Sequence, residues 1–180
     1  MDLTHRLATL ADLATLAEVM DAAIAELQRP FLSVEQIESS RLIMGIDTQL
    51  VKDGTYYVVE GDGHLAGCGG WSRRATLYGG DQTPDRDPEL LDPGVDAARV
   101  RAMYTHPVFV RRGVGRLILT LCELAAASEG FRQLELMGTL AGEPLYTAYG
   151  FVAVERLTDE RGGAAVPLVR MVKDISAQAL

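Results

Sequence analysis

The stretch Ala97-Ala98-Arg99-Val100-Arg101-Ala102-Met103-Tyr104-Thr105-His106-Pro107-Val108-Phe109-Val110-Arg111-Arg112-Gly113-Val114-Gly115-Arg116 decides the fold. Its first nine residues read as a strand, which Pro107 stops. From Gly113 to Ser128 the apolar residues Leu117, Ile118, Leu121, Leu124 and Ala125 recur at helical spacing, and Gly130 ends the run. The pattern is therefore strand, proline, Gly-x-Gly, helix. A helix start carries unpaired backbone N–H groups and about half a positive charge. Glycines there let a phosphate approach the amides without a Cβ in the way, and Arg111, Arg112 and Arg116 supply further donors. Gly-x-Gly alone fits a tight turn feeding a helix equally well. The third glycine of a dinucleotide fingerprint is missing, because position 118 is Ile, and there is no Gly-Lys-Ser/Thr ending of a P-loop.

Working outward, Arg132–Met137 reads as the strand that follows this helix, and Glu143–Tyr149 as a short helix. Phe151–Glu155 and Ala165–Val172 read as a closing antiparallel pair. Upstream, Thr55–Glu60 and His64–Ser72 flank the turn Gly61-Asp62-Gly63 as a hairpin, with Gly69-Gly70 marking a bulge or a close backbone approach. The hairpin segment Gly67–Arg74 is glycine-rich, as a backbone passing near a ligand would be. Trp71 within it suits either a pocket wall or the core. Leu13, Leu16, Met20, Ile24 and Leu27 predict a helix behind a short first strand at His5–Leu10, with Asp12 as its cap. Ser33 and Gln36 have the spacing of a capping box for a second helix running toward Met44. Thr76–Asp96, with three prolines and six acids, reads as a loop. The expected fold is a single α+β domain over residues 1–180. It has one central mixed, mostly antiparallel sheet of about six to seven strands, flanked by about four helices.

Composition narrows the function classes. The chain has 180 residues and a net charge of −8, which does not suit a nucleic-acid binder. Three arginines within six residues make a local basic spot suited to a small anion. No eighteen-residue apolar run predicts a membrane span, and Met1–Arg6 lacks a signal-peptide pattern, so a cytoplasmic location is expected. Cys68 and Cys122 lie far apart in apolar settings and are expected to be buried thiols. His5, His64 and His106 do not complete a metal-ligand spacing with them, so no metal is expected.

Two motifs taken together resemble the GCN5-related N-acetyltransferase (GNAT) family. The first is Pro107 followed by Val110-Arg111-Arg112-Gly113-Val114-Gly115 at a helix start. The second is Tyr146-Thr147-Ala148-Tyr149-Gly150-Phe151, about thirty residues on. Val110 stands where the family often has Arg or Gln. The resemblance implies a splay between the strands 97–105 and 132–137, with the pantetheine arm of acetyl-CoA lying in it. It further implies that the backbone of Met103, Tyr104 and Thr105 pairs with that arm, and that Arg111, Arg112, Gly113, Val114, Gly115 and Arg116 hold the diphosphate. Tyr146 matches the family's general acid; a packing tyrosine is the other reading.

The chemistry expected is attack of a primary amine on the thioester of acetyl-CoA or another acyl-CoA. The amine must lose a proton, and the tetrahedral oxyanion needs a donor such as a backbone N–H near Met103–Tyr104. The base stays open among Glu135, His106, Asp81 and Asp96. A small amine is the expected acceptor, and the acids of the 76–96 loop either favour a cationic one or form a solvated surface. A protein lysine or N-terminus is the alternative acceptor, and a non-catalytic acyl-CoA-binding domain the alternative function. A homodimer through the C-terminal strands is also compatible.

Overall fold

The computed structural model describes residues 2–175. Among the described residues seven strands join one sheet in the order β1-β2-β3-β4-β5-β7-β6. They are β1 (Leu3–Leu7), β2 (Tyr56–Gly61), β3 (His64–Ser72), β4 (Ala98–Thr105), β5 (Gln133–Thr139), β6 (Val152–Asp159) and β7 (Val166–Asp174). Every neighbouring pair is antiparallel except β4 and β5. Among the described residues five α-helices flank the sheet: α1 (Leu13–Leu27), α2 (Val34–Ser40), α3 (Thr48–Lys52), α4 (Val114–Ser128) and α5 (Glu143–Tyr149). The expected α+β class, mostly antiparallel single sheet and strand number hold.

Local chemistry explains most boundaries. Ser33 accepts from the Gln36 N–H while Gln36 Oε1 accepts from the Ser33 N–H, so the expected capping box starts α2. That helix stops at Ser40, short of Met44, and α3 follows, a helix the sequence reading left out. Asp47 caps α3 by accepting from the Gln49 N–H. Asp12 precedes α1 but makes no side-chain cap. Its carboxylate instead accepts from the Thr9 N–H and from Arg6, and the first strand accordingly lies earlier than expected. In α4 the buried face is Val114, Ile118, Leu119, Cys122 and Ala126, whereas Leu124, expected toward the core, is 50% exposed. The phase of a helix rich in leucine and alanine on two sides is weakly marked by hydropathy alone.

One core lies under α4 and α5, with Val59, Trp71, Val100, Phe131 and Leu136. A second lies under α1 and α3, with Val58, Cys68 and Tyr104. Trp71 is buried edge-on to Phe131, their ring centroids 5.9 Å apart, so it belongs to the core. The glycines of β3 make room for protein. A Cβ on Gly67 would stand 2.6 Å from Val114 Cγ1, one on Gly69 2.8 Å from Ile118 Cγ2, and one on Gly70 2.3 Å from the Thr55 carbonyl oxygen. They let α4 lie directly on the sheet and β2 press against β3. Cys68 and Cys122 are free and buried. No helix among the described residues is long and apolar enough to cross a membrane.

Candidate active site

Strands β4 and β5 pair over only two positions, Ala98↔Leu134 and Arg99↔Glu135. Beyond them β4 follows β3 while β5 follows β7 to Thr139, and a V opens between them. Ala102 marks the divergence. Its φ of 50° and the register shift opposite Gly69 define a bulge that turns β4 away from β5. The His106 N–H bonds to the Ala66 carbonyl, so strand alternation aims the backbone groups of Thr105 and Met103 toward the open V and those of Tyr104 toward β3. The Tyr104 ring is buried, and its hydroxyl accepts from the Gly45 N–H at 2.8 Å.

The tip of β4 feeds the basic loop. Pro107–Phe109 forms a single 3-10 turn, Arg111 takes a left-handed φ of 63°, and Gly113 takes one of 88° as the N-cap of α4. No side chain caps α4, so its first amides lack an internal acceptor. Arg111, Arg112 and Arg116 are exposed around it, with Arg112 over the Phe109 ring and Arg116 over the Tyr149 ring. Val114 is buried in the core, so only its backbone can serve a ligand. Gly115 is needed for contact between helices, because a Cβ there would lie 2.5 Å from Leu145 Cδ2 on α5. His106 Nδ1 accepts from the Val108 N–H, which gives this imidazole a capping role in the turn.

Helix α5 brings Tyr146 into the V. The ring lies against the backbone of Gly138 and Gly142, where any Cβ would come within 3.2 Å of it, and packs edge-on to Phe151. The hydroxyls of Tyr56, Tyr78, Tyr104 and Tyr149 are all hydrogen-bonded, while that of Tyr146 donates to no group among the described residues. Burial pushes Tyr146 up to about 12, so it keeps its proton at neutral pH. Helix α5 is fixed by Glu123 of α4, a buried carboxylate that accepts from the Tyr149 hydroxyl at 2.7 Å and from Lys173 Nζ at 2.6 Å.

The V holds a cavity of about 80 Å³. Ile43, Met44, Leu77, Met137 and Leu168 give it apolar walls, with Val100 and Tyr146 toward the α4 side, while Tyr78, Arg101, Tyr104, Thr139 and the backbone of Gly45 and Gly79 make more of its exposed lining polar than apolar. Among the described residues no carboxylate lines it. Glu135 sits at the closed base of the V, buried between Arg99 and Arg170, and its charge is fully engaged. Asp81 accepts from the Thr48 N–H and hydroxyl and ties the loop to the start of α3, and Asp96 accepts from the Asp92 N–H within a turn.

What the sequence reading missed is how the 73–97 segment is held. Arg101 on β4 is buried, pairs with Asp47 at 2.9 Å, and donates to the carbonyls of Thr76 and Gly79. Arg86 reaches the same Asp47 oxygen at 2.7 Å. Farther along, the Tyr78 hydroxyl donates to Asp159, which Arg161 also holds. An arginine alternating with buried apolar residues on an inner strand was the available signal.

Residues 52–153 match the model of the acetyltransferase (GNAT) domain. The chain belongs to the GNAT acetyltransferase family. A GCN5-related N-acetyltransferase of Rhodopseudomonas palustris, also labelled a class-II aminotransferase, shares the fold at 20% identity and a TM-score of 0.72, over 97% of this chain and 96% of that one. The PaiA N-acetyltransferase of Thermoplasma acidophilum, solved with coenzyme A, does so at 16% identity and 0.65, over 97% and 99%. YncA of Salmonella typhimurium, a putative acetyltransferase solved with acetyl-CoA, does so at 17% and 0.65, over 98% and 95%. At these identities the likeness is one of GNAT fold. No curated protein matches the sequence significantly.

Proposed function

We propose that this GNAT domain transfers an acetyl group from acetyl-CoA to the primary amine of a small molecule with an apolar substituent. The observation that carries the reading is a single V with a proton-bearing, unengaged tyrosine hydroxyl inside it and an uncapped helix N-terminus at its mouth. Acetyl-CoA fits those features by charge and shape. The diphosphate takes the amides of residues 113–116 with help from the exposed arginines, and the pantetheine arm pairs with the backbone of Met103 and Thr105 as an added strand.

The amine enters from the side of Ile43, Met44, Leu77 and Leu168. Those side chains line the V together with polar Tyr78, Arg101, Tyr104 and Thr139, and among the described residues no carboxylate does, which favours a small acceptor with an apolar part over a polyamine. We assign no base among Glu135, His106, Asp81 and Asp96, since each is held by other groups. The amine therefore reacts as the fraction already neutral, or loses its proton to water. The Met103 N–H supplies the donor for the oxyanion, and Tyr146 hydrogen-bonds the departing sulfur. With its own pKa near 12, Tyr146 stabilises the sulfur as a donor. Complete transfer is favoured only as far as the apolar V raises the thiol in the same way.

The test follows thiol release from acetyl-CoA across alkyl and aralkyl amines, amino acids, polyamines, aminoglycosides and lysine peptides. Release that is fastest with apolar-substituted amines supports the reading. Release confined to polyamines or peptides rejects the acceptor class. Acetyl-CoA binding without release from any amine rejects the enzyme in favour of a binding domain.

A further inference from the structure

Part of the segment between β3 and β4 crosses the V as a strap. Leu77, Tyr78 and Gly79 line the cavity together with Ala102 of β4, Met137 of β5 and Leu168 of β7. The strap is tied differently on its two sides. On the β4 side, Arg101 donates to the carbonyls of Thr76 and Gly79, which bracket it. On the other side, the Tyr78 ring packs against Ile43, Val166 and Leu168, and its hydroxyl donates to Asp159 at 2.9 Å. Asp159 ends β6, and β5 and β7 lie between β6 and β4 in the sheet, so the two ties stand on opposite sides of the V.

The Tyr78 tie is short, charged and well supported. Asp159 is buried, and Arg161 donates to its carboxylate through Nε at 2.9 Å, Nη2 at 2.6 Å and the backbone N–H at 3.0 Å. The Arg161 guanidinium also lies over the Tyr78 ring, 5.5 Å from its centroid. Among the described residues no other hydrogen bond joins residues 77–79 to β6 or β7. A side chain that lines a cavity and is anchored at its tip holds its place only while that bond is made.

We infer that Tyr78, latched to Asp159, determines acceptor specificity by limiting the size of amine the V admits. The inference rests on the proposed reaction, with the amine entering beside Leu77 and Leu168. With the latch made, the ring closes this side of the V. Swinging it aside breaks a charge-assisted hydrogen bond and the arginine stack, so a bulky acceptor binds only at that cost. Asp159 and Arg161 are positioning residues, acting through the ring.

Ethylamine and phenethylamine are the probes, compared by thiol release from saturating acetyl-CoA in the full chain. Tyr78→Phe keeps the ring and removes the latch. It should raise the kcat/KM ratio of phenethylamine to ethylamine about tenfold, through a lower KM for phenethylamine. Asp159→Asn leaves the hydroxyl a neutral acceptor and should raise the ratio only about threefold. A merely structural role for the bond would weaken both amines alike. Hydrogen exchange on the unliganded chain reads the latch without turnover, and residues 77–81 should exchange faster in Tyr78→Phe. A ratio unchanged in Tyr78→Phe, or exchange at residues 77–81 as slow as in wild type, would each overturn the latch. A wild-type chain that acetylates no amine would instead overturn the proposed reaction, and the exchange comparison would then decide the latch by itself.

Discussion

Where α4 meets β3 and α5, the chain fits by leaving atoms out. Gly67, Gly69 and Gly115 lack the Cβ that would strike Val114, Ile118 and Leu145. Where β4 meets the 73–97 segment, it fits by putting charges in, with Arg101 and Asp47 buried and the half-buried Arg86 bonded to the same carboxylate. The first wall is rigid, because its tolerance is set by hard contact. The second is held by a few ionic bonds spanning long stretches of sequence, and one substitution there leaves a charge stranded. If the proposed reaction holds, with one substrate fixed by backbone and a second admitted beside a loop, this division would suit it.

The sharpest break should come at Asp47. Asp47→Ala strands Arg101 in the interior and removes the cap of α3, and is expected to cost about 3–5 kcal/mol in urea unfolding. Acetyl-CoA affinity should change little while KM for the amine rises. A loss below about 1 kcal/mol would show that the ionic wall is not what holds the segment.

Next in size is a kinetic effect on the rigid wall. Tyr146→Phe removes the one unengaged hydroxyl in the V and should lower kcat by about a hundredfold, with the acetyl-CoA Kd within about twofold. Tyr146 stays protonated until about pH 12. The rise of kcat/KM with pH should therefore track the amine, whose pKa is about 10.4, and keep its shape in the variant. An acidic limb that moves in Tyr146→Phe would show that the tyrosine itself titrates in the working range.

Steric intolerance gives a smaller number. Gly67→Ala places a methyl 2.6 Å from Val114 Cγ1 and 2.7 Å from the Tyr104 carbonyl oxygen, and should cost about 1–3 kcal/mol of stability. Since Val114 opens α4, the same change should weaken acetyl-CoA binding. Unaltered affinity in a destabilised variant would separate the packing of α4 from the placement of its amides.

The two walls also differ in how far the sequence disclosed them. The glycine wall was legible in its elements, the turn at Gly113, the 143–149 helix and a close approach at Gly69-Gly70, but not in its purpose: Gly67 and Gly115 were read as serving a ligand, and they make room for Val114 and Leu145. The splay was legible only through the family resemblance; nothing in residues 97–105 announces that pairing stops at Arg99. The ionic wall was not legible. Asp47 and Arg101 are 54 positions apart, and the acids of the 76–96 loop read as a charged surface until the turns they build are seen. Glu135 was judged by strand position, whereas its partner Arg170 arrives from β7, a strand that pairs later in the chain.

The smallest effect probes the one cation of the rigid wall that is set by backbone strain. Arg111 holds a φ of 63°, a region glycine enters freely and arginine does not. Arg111→Gly therefore removes the guanidinium while keeping the loop path, and reads the side chain alone. An exposed cation beside a phosphate contributes modestly, and the α4 amides remain, so the acetyl-CoA Kd should rise only about fivefold, or about 1 kcal/mol. The difference from wild type should shrink as salt rises, since an exposed pair is screened within about 10 Å at 0.1 M. A loss of a hundredfold or more would mean that the side chains, and not the uncapped amides of α4, carry the phosphate. The contrast between a wall made of backbone and a wall made of charges would then no longer hold at the mouth of the V.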